Sequence, residues 1–262
     1  MGLMSRARRV LHEIRARTSR EGFTDAMYSL AGLISYPRGG FPRHGVDEFM
    51  QSICKSIDPG SLVLDAGAGT QPYKHLFNHT RYESCEYEGT NEEVHGDASK
   101  KHNFYCDLET IPIANDTYDA IVCNQVLEHV KRPHKVVQEF HRILKPDGQL
   151  FLTVPQCFGM HMAPYNYFNF ISYGLIFLAK EAGFRKVTVK PLGGIFWLLG
   201  TVILRGCDTL VSTIPRWLKP CLLPFHIAMR LLLVPVCFAL YHLDRLDNKS
   251  SWTLNYGCSC IK

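Results

Sequence analysis

Leu62-Val63-Leu64-Asp65-Ala66-Gly67-Ala68-Gly69-Thr70 reads as a β-strand that runs straight into a glycine turn. Two glycines after a strand and before a helix let a ligand approach the backbone and face the helix N-terminus. The strand is predicted over 61–64, and a helix opens near Gln71-Pro72, where a proline at the first helical position has no useful N–H to lose. Outward from this point the chain alternates short β-rich runs with helical patterns, the mark of a parallel sheet wrapped by helices. Further strands are expected over 81–86, 103–106, 118–123, 149–154 and 184–190. The run from Ala120 to Cys123 is fully apolar, as a central parallel strand requires. Between them, Val136, Val137, Phe140 and Leu144 form one face of a helix that starts at Pro133 and ends in the turn Lys145-Pro146-Asp147-Gly148; a second helix is expected over 172–182.

After Gly194 the texture changes. An apolar run over 195–204 is broken by Arg205, and another over 231–241 is bounded by Arg230 and His242. Neither reaches the roughly 20 residues of a spanning helix, so each is expected to lie in a membrane interface, to re-enter, or to be buried in a core. Pro215, Pro220, Pro224 and Pro235 are expected to divide the region into short helices. Alternation returns over 251–261, which reads as a last strand that rejoins the sheet.

Composition sets outer limits. A chain of 262 residues with 46% hydrophobic and 20% charged residues can bury a full-sized core. The net charge of +5 is concentrated at the front, where Arg6, Arg8, Arg9, Arg15, Arg17 and Arg20 oppose only Glu13. That distribution argues against nucleic acid as a partner, which would need basic residues spread over the folded body. Leu3, Ala7, Val10, Leu11, Ile14 and Thr18 lie at helical spacing against the arginines, which suits a membrane-surface helix, a presequence or a plain solvated helix. No apolar run of signal-peptide length precedes Glu13. The ten cysteines are scattered without a CxxC pair, so free thiols of a reducing compartment are expected and no metal ligand is read from spacing.

The acids around the glycine turn narrow the ligand. A dinucleotide fingerprint wants a third glycine where Pro72 stands, and the Asp65 carboxylate would face an anionic pyrophosphate unfavourably. The same carboxylate suits a ligand with an ammonium and a sulfonium, which describes S-adenosylmethionine. Glu86, 21 residues on, closes the second strand and is placed to accept both ribose hydroxyls, with Glu83 and Glu88 as rivals. Asp107 follows the third strand, where its carboxylate could accept the adenine amino group and the Leu108 amide meet a ring nitrogen; a helix cap is the alternative.

Three blocks carry a resemblance. Residues 62–70, Asp116-Thr-Tyr-Asp-Ala-Ile-Val-Cys-Asn-Gln-Val-Leu-Glu-His129 and Arg142-Ile-Leu-Lys-Pro-Asp-Gly-Gln-Leu150 together resemble the class I methyltransferases of the methyltransferase type 11 group over about 55–190. The resemblance implies that Asp65, Gly67 and Gly69 surround the methionine part of S-adenosylmethionine, Glu86 the ribose and Asp107 the adenine. It also implies that the backbone near Asn124 and Gln125 closes over the amino acid end. The second strand is more polar than the group's usual hydrophobic run. The expected fold is α/β: a Rossmann-like doubly wound sheet, mostly parallel with an antiparallel last strand, carrying a hydrophobic helical insertion before that strand. The expected domains are a basic N-terminal segment (1–45), a methyltransferase core (46–194), the apolar insertion (195–247) and the returning strand (248–262).

On the acceptor side, Glu128 and His129 follow the fourth strand and could reach the methyl group, with His129 the better base; hydrogen bonding at the start of the next helix is the alternative. A later loop, His161-Met-Ala-Pro-Tyr165-Asn-Tyr167-Phe-Asn-Phe170, crowds aromatic rings with one histidine at a strand end; it resembles the His-x-x-Pro-Tyr loops of bacterial relatives, which implies an acceptor lid, with core packing as the alternative. The resulting expectation is an intracellular methyltransferase, peripheral or monotopic on a membrane, acting on a lipid, lipid-linked or other hydrophobic small molecule. The rival readings are a soluble enzyme whose apolar region is an oligomer interface, and a non-catalytic scaffold.

Overall fold

Strand β1 (Leu62–Ala66), apolar except for Asp65, takes its place inside a seven-stranded sheet. The computed structural model describes residues 41–87, 101–215, 217–247 and 251–262. The arginine-rich helix expected within the first twenty residues, most of the 1–45 segment, Glu88 and residues 248–250 lie outside these. The sheet contains β2 (Arg81–Glu86), β3 (Phe104–Tyr105), β4 (Tyr118–Asn124), β5 (Leu144–Pro155), β6 (Arg185–Leu192) and β7 (Asn255–Ile261), in the order β3-β2-β1-β4-β5-β7-β6. The first five are parallel; β7 runs antiparallel between β5 and β6. This is the doubly wound, mostly parallel sheet with a reversed last strand that the sequence leads one to expect.

Strand alternation divides the core between two faces. Val63, Ala120, Val122 and Phe151 pack with Val46, Phe49, Met50 and Ile53 of helix α1 (Phe41–Ser56). Leu64, Ile121, Cys123, Leu150 and Leu152 point the other way, against Val136, Val137 and Phe140 of α2 (Pro133–Ile143) and Leu175 of α3 (Ser172–Glu181). All ten cysteines are free, and Cys258 and Cys260 share one face with their sulfurs 3.5 Å apart.

Three local expectations need correction. Gln71 adopts φ 53°, so the α-helix expected at Gln71-Pro72 cannot start there; the loop is followed by one 3₁₀ turn, Lys74–Phe77. The turn at Lys145–Gly148 does not precede β5 but interrupts it: Tyr118 pairs with Leu144 and Ala120 with Gln149, leaving the intervening residues of β5 looped out around Asp147 at φ 63°. Of the four prolines after Gly194, Pro215 lies between helices and Pro220 in a first helical turn, but Pro224 and Pro235 break nothing. Among the described residues the region forms two α-helices, α4 (Ile195–Ser212) and α5 (Lys219–Leu243), followed by a 3₁₀ turn Asp244–Leu246, and α5 runs its full 25 residues through Pro224 and Pro235.

The chain divides into two compact units, Gly45–Leu192 with Thr253–Lys262 and a second one containing Gly193–Trp252. In the second, α4 and α5 pack on each other through Trp197, Leu198, Thr201, Leu204 and Cys207 on one side and His226, Arg230 and Cys237 on the other. The Cys237 thiol of α5 donates to the Gly200 carbonyl of α4 at 3.4 Å. Arg230, 3% exposed, pairs with Asp208 across the hairpin and donates to His226 one turn back at 3.1 Å. Asp244 and Asp247 cap the start of α4: Asp244 accepts from the Gly194 and Trp197 amides at 2.7 and 3.0 Å, and Asp247 from Ile195 at 2.9 Å.

Candidate functional site

Because β1, β2, β4 and β5 are parallel, their C-terminal ends lie on one edge of the sheet, the edge at which open α/β folds bind ligands. Gly67 and Gly69 leave β1 at φ 72° and 51°, a left-handed turn that glycine adopts without strain. At Gly67 there is also no room: a Cβ would meet the Val126 side chain at 2.7 Å.

The loop amides are already committed. Gly67 and Ala68 both donate to the Cys85 carbonyl, at 3.0 and 3.1 Å, and Gly69 donates to Glu86 Oε2 at 2.7 Å. Glu86 Oε1 accepts from the Tyr87 amide at 2.9 Å. A pyrophosphate would need those amides as donors. Here they face inward, and the loop shows carboxylates instead, which fits a cationic ligand. Glu86 therefore pins the loop, whatever further acceptance its lone pairs offer to ribose hydroxyls. Glu83, its rival, accepts the Tyr118 hydroxyl at 2.7 Å.

Asp65 is 5% exposed. Burial pushes its carboxyl up to about 6; a hydrogen bond from the Tyr82 hydroxyl at 2.6 Å works against that rise, and the charge of Glu86 adds to it. A buried acid poised to ionise beside a glycine turn is stabilised as a carboxylate by an incoming ammonium or sulfonium. Asp107 is exposed and its Oδ1 accepts from the Glu109 amide at 2.9 Å, so it caps the following turn, and Leu108 is buried. Asn124 and Gln125 converge on Thr153: Thr153 Oγ1 donates to Asn124 Oδ1 at 2.5 Å, and Gln125 Nε2 donates to Thr153 Oγ1 at 3.3 Å. Gln125 itself is at φ 56°, which turns the chain sharply at the end of β4.

Beyond β4 the structure brings Glu128, His129 and His161 together. Their ligand-type atoms lie within 4.8 Å of one another, although His161 is 32 positions along the chain from His129. The 161–170 loop is tied to the same point, since the Tyr167 and Phe168 amides donate to the Glu128 carbonyl at 2.8 and 3.3 Å. Tyr165 and Tyr167 are 53% and 39% exposed. Glu128 is 0% exposed, and among the described residues neither carboxylate oxygen has a hydrogen-bond partner. Burial pushes its carboxyl up to about 8, against the pull of its own backbone N–H, which falls short of hydrogen-bond geometry.

Sequence reasoning missed Tyr82, Gln71 and Thr153. Tyr82 was hidden in a strand read as unusually polar, yet its hydroxyl is what meets Asp65. Gln71, 7% exposed, uses its side-chain amide to tie the loop to Ser84 at 3.3 Å and to the Lys101 carbonyl at 3.2 Å. A polar hollow of about 280 Å³ lined by Ser61, Asp119 and Lys145 lies at the opposite, N-terminal edge of the sheet and takes no part in this arrangement.

Comparison with known proteins agrees with the geometry. Residues 39–188 match the methyltransferase domain family. A stretch of 99 residues, 37% of the chain, is 30% identical to the Homo sapiens protein named "Probable tRNA methyltransferase 9B" and covers 22% of it. A stretch of 38 residues, 14% of the chain, is 45% identical to the ubiquinone biosynthesis O-methyltransferase of Glaesserella parasuis and covers 16% of it. The chain thus spans about a fifth of the length of these relatives. A SAM-dependent methyltransferase from Archaeoglobus fulgidus has the same fold, with TM-score 0.51 and 13% identity over 82% of this chain and 94% of that one. With a strand order and an acidic glycine loop of this kind, the chain belongs to the methyltransferase domain family, within the class I methyltransferases that take S-adenosylmethionine as cofactor.

Proposed function

We propose that the chain transfers a methyl group from S-adenosylmethionine to a lipid, lipid-linked or other hydrophobic acceptor while held on a membrane surface. The observation that carries this reading is the outer surface of the α4–α5 hairpin. Val202, Leu210, Phe225, Leu231, Leu232 and Phe238 are all more than half exposed. The stretch Cys221–Leu246 is long and apolar enough to cross a membrane, with a mean hydropathy of 2.0 and only 17% of its most apolar window buried. A 25-residue helix is about 37 Å long, comparable with a hydrocarbon core of about 30 Å. Apolar patches of this extent favour lipid or a partner over water. The Asp208–Arg230 pair keeps a buried charge of the hairpin matched, as an apolar solvent demands.

In this reading Asp65 and the Glu86-pinned loop hold the donor, whose bound sulfonium supplies the methyl group and a neutral thioether as leaving group. The residues of the chain position the acceptor in line and exclude water. The 161–170 loop covers the acceptor, and the cluster of Glu128, His129 and His161 takes its proton as the new bond to the methyl carbon forms and the carbon–sulfur bond breaks.

The test uses the full chain, wild type and Asp65→Ala, with labelled methyl donor, lipid vesicles, a lipid extract, a soluble extract and tRNA. The expected result is flotation of the protein with vesicles and label in the lipid extract, both donor binding and labelling being lost in Asp65→Ala. Label confined to the soluble extract or to tRNA, from a protein that does not float, would overturn the lipid reading.

A further inference from the structure

We infer that Glu128, His129 and His161 form a binding site for one divalent transition-metal ion of the zinc class. The argument starts with the outer nitrogens of the two rings. His129 Nδ1 lies 2.8 Å from the Tyr165 carbonyl oxygen, and His161 Nδ1 lies 3.2 Å from that of Gly159. A carbonyl oxygen can only accept, so Nδ1 carries the proton in each ring and a neutral imidazole then has its lone pair on Nε2. Both Nε2 atoms face one carboxylate oxygen, Glu128 Oε1, at 3.8 and 4.0 Å.

Those separations are too long for hydrogen bonds, so no shared proton accounts for the convergence. Two imidazolium rings do not account for it either, since the ring centroids are 4.8 Å apart and the charges would repel. What remains is a fully buried carboxylate without a hydrogen-bond partner among the described residues, facing two nitrogen lone pairs. Buried polar atoms are normally satisfied, and three electron-pair donors aimed at one point are satisfied by a cation.

The donor set indicates which cation. Two imidazole nitrogens and one carboxylate oxygen are the ligands of open zinc sites, where a fourth position is left for water or substrate, whereas magnesium and calcium prefer oxygen alone. Bonds of about 2.0–2.2 Å place tetrahedral ligand atoms about 3.3 Å apart, so Glu128 Oε1 must approach each nitrogen by roughly half an ångström, and the set as a whole, within 4.8 Å in this structure, must draw together by more through side-chain rotation. The backbone carbonyls on both Nδ1 atoms are the outer partners that metal-bound histidines use to fix ring and tautomer. All three ligands sit at the C-terminal edge of the sheet, and the lid loop supplies both His161 and the Tyr165 carbonyl.

The inference deepens the reading of this cluster as the acceptor's proton-removing group and rests on that reading for its chemical role. An acceptor hydroxyl bound in the fourth position would lose its proton more readily, which is what a bound metal does to water. Ion binding itself needs neither donor nor acceptor, so its failure and the failure of methyl transfer can be told apart.

The test is titration of Co²⁺ into the full chain in detergent, with competition by Zn²⁺, for wild type, His161→Ala and Glu128→Gln. Expected are one ion per chain, the intense visible bands of tetrahedral Co²⁺, displacement by Zn²⁺, and affinity at least about 100-fold weaker in His161→Ala, given that even outer partners of such sites are worth roughly 10–100-fold. Thermal unfolding keeps the test open if a variant folds poorly: Zn²⁺, and not Mg²⁺, should raise the wild-type Tm, and the rise should vanish in His161→Ala. Equal affinity in wild type and His161→Ala, a weak octahedral Co²⁺ spectrum, or a wild-type Tm indifferent to Zn²⁺ would overturn the inference.

Discussion

Two buried acids stand at the same edge of the sheet and are treated in opposite ways. Asp65, in the glycine loop region, is met by a hydroxyl from its own neighbour Tyr82 at 2.6 Å, and the loop around it is fastened by the Cys85 carbonyl and Glu86. Glu128, beyond β4, has no such donor and looks instead at two histidines. On the function proposed above, the difference teaches that the donor side is fastened by the chain's own groups, whereas the acceptor side leaves a buried carboxylate for a ligand to meet. Preorganisation on one side and an unmet valence on the other suit an enzyme whose donor is constant and whose second substrate completes the site.

The comparison can be broken most severely at Gly67. Replacing it with alanine puts a Cβ at 2.7 Å from Val126 and forces a side chain onto φ 72°. A loss of roughly 3 kcal/mol is expected, from left-handed strain and overpacking together, with donor binding lost. Chemical denaturation and calorimetry with S-adenosylmethionine measure the two effects; a neutral outcome would mean the loop is not preassembled.

Asp65→Asn should separate stability from binding. The carboxyl is raised from 3.8 to about 6, so ionising it costs the folded state stability as pH rises through that window. At neutral pH the uncharged variant should thus be more stable by up to about 3 kcal/mol in the donor-free state, with the gain vanishing below pH 4. Its donor affinity should nevertheless fall, because in the proposed site the charge that burial opposes is the one that meets the donor's cationic end. A variant that loses stability at neutral pH would count against a strained acid.

Tyr82→Phe makes Asp65 resemble Glu128 by removing its donor. The expected cost is about 1–3 kcal/mol. The pH at which donor binding switches on should move upward, because the hydrogen bond that favours the charged form is gone. Wild-type donor binding that shows no loss as pH falls below 6 would remove Asp65 from the donor's cationic end.

How much of this was legible in the sequence depended on whether the cause was local. The apolar runs Ala120–Cys123 and Leu62–Leu64 announce central strands, and their burial follows directly. Gly67 and Gly69 announce a turn because the backbone demand is local too. The turn after them was misread because Gln71 accepts φ 53° in exchange for burying its amide against Ser84 and Lys101, partners set by tertiary structure. Pro224 and Pro235 suggested helix ends, yet a helix can carry a missing donor where packing along a partner such as α4 holds it. In the site, Glu128 and His129 could be found because they are adjacent and follow a strand. Their meeting with His161 could not, because a 32-residue separation closes only through the fold of the lid loop.

The pairing of Leu192 with Asn255 at the mouth of β6 and β7 has a consequence for how the chain folds. Roughly sixty residues must be looped out before these two neighbours can meet. Compared with a four-residue turn, closing so long a loop costs about 2 kcal/mol more in chain entropy. A hairpin that forms early from its own local contacts, pinned by Asp244 and Asp247 on the first turn of α4, shortens that loop to a few residues. Loop-closure entropy therefore favours a route in which the hairpin forms first and β7 enters the seam between β5 and β6 last.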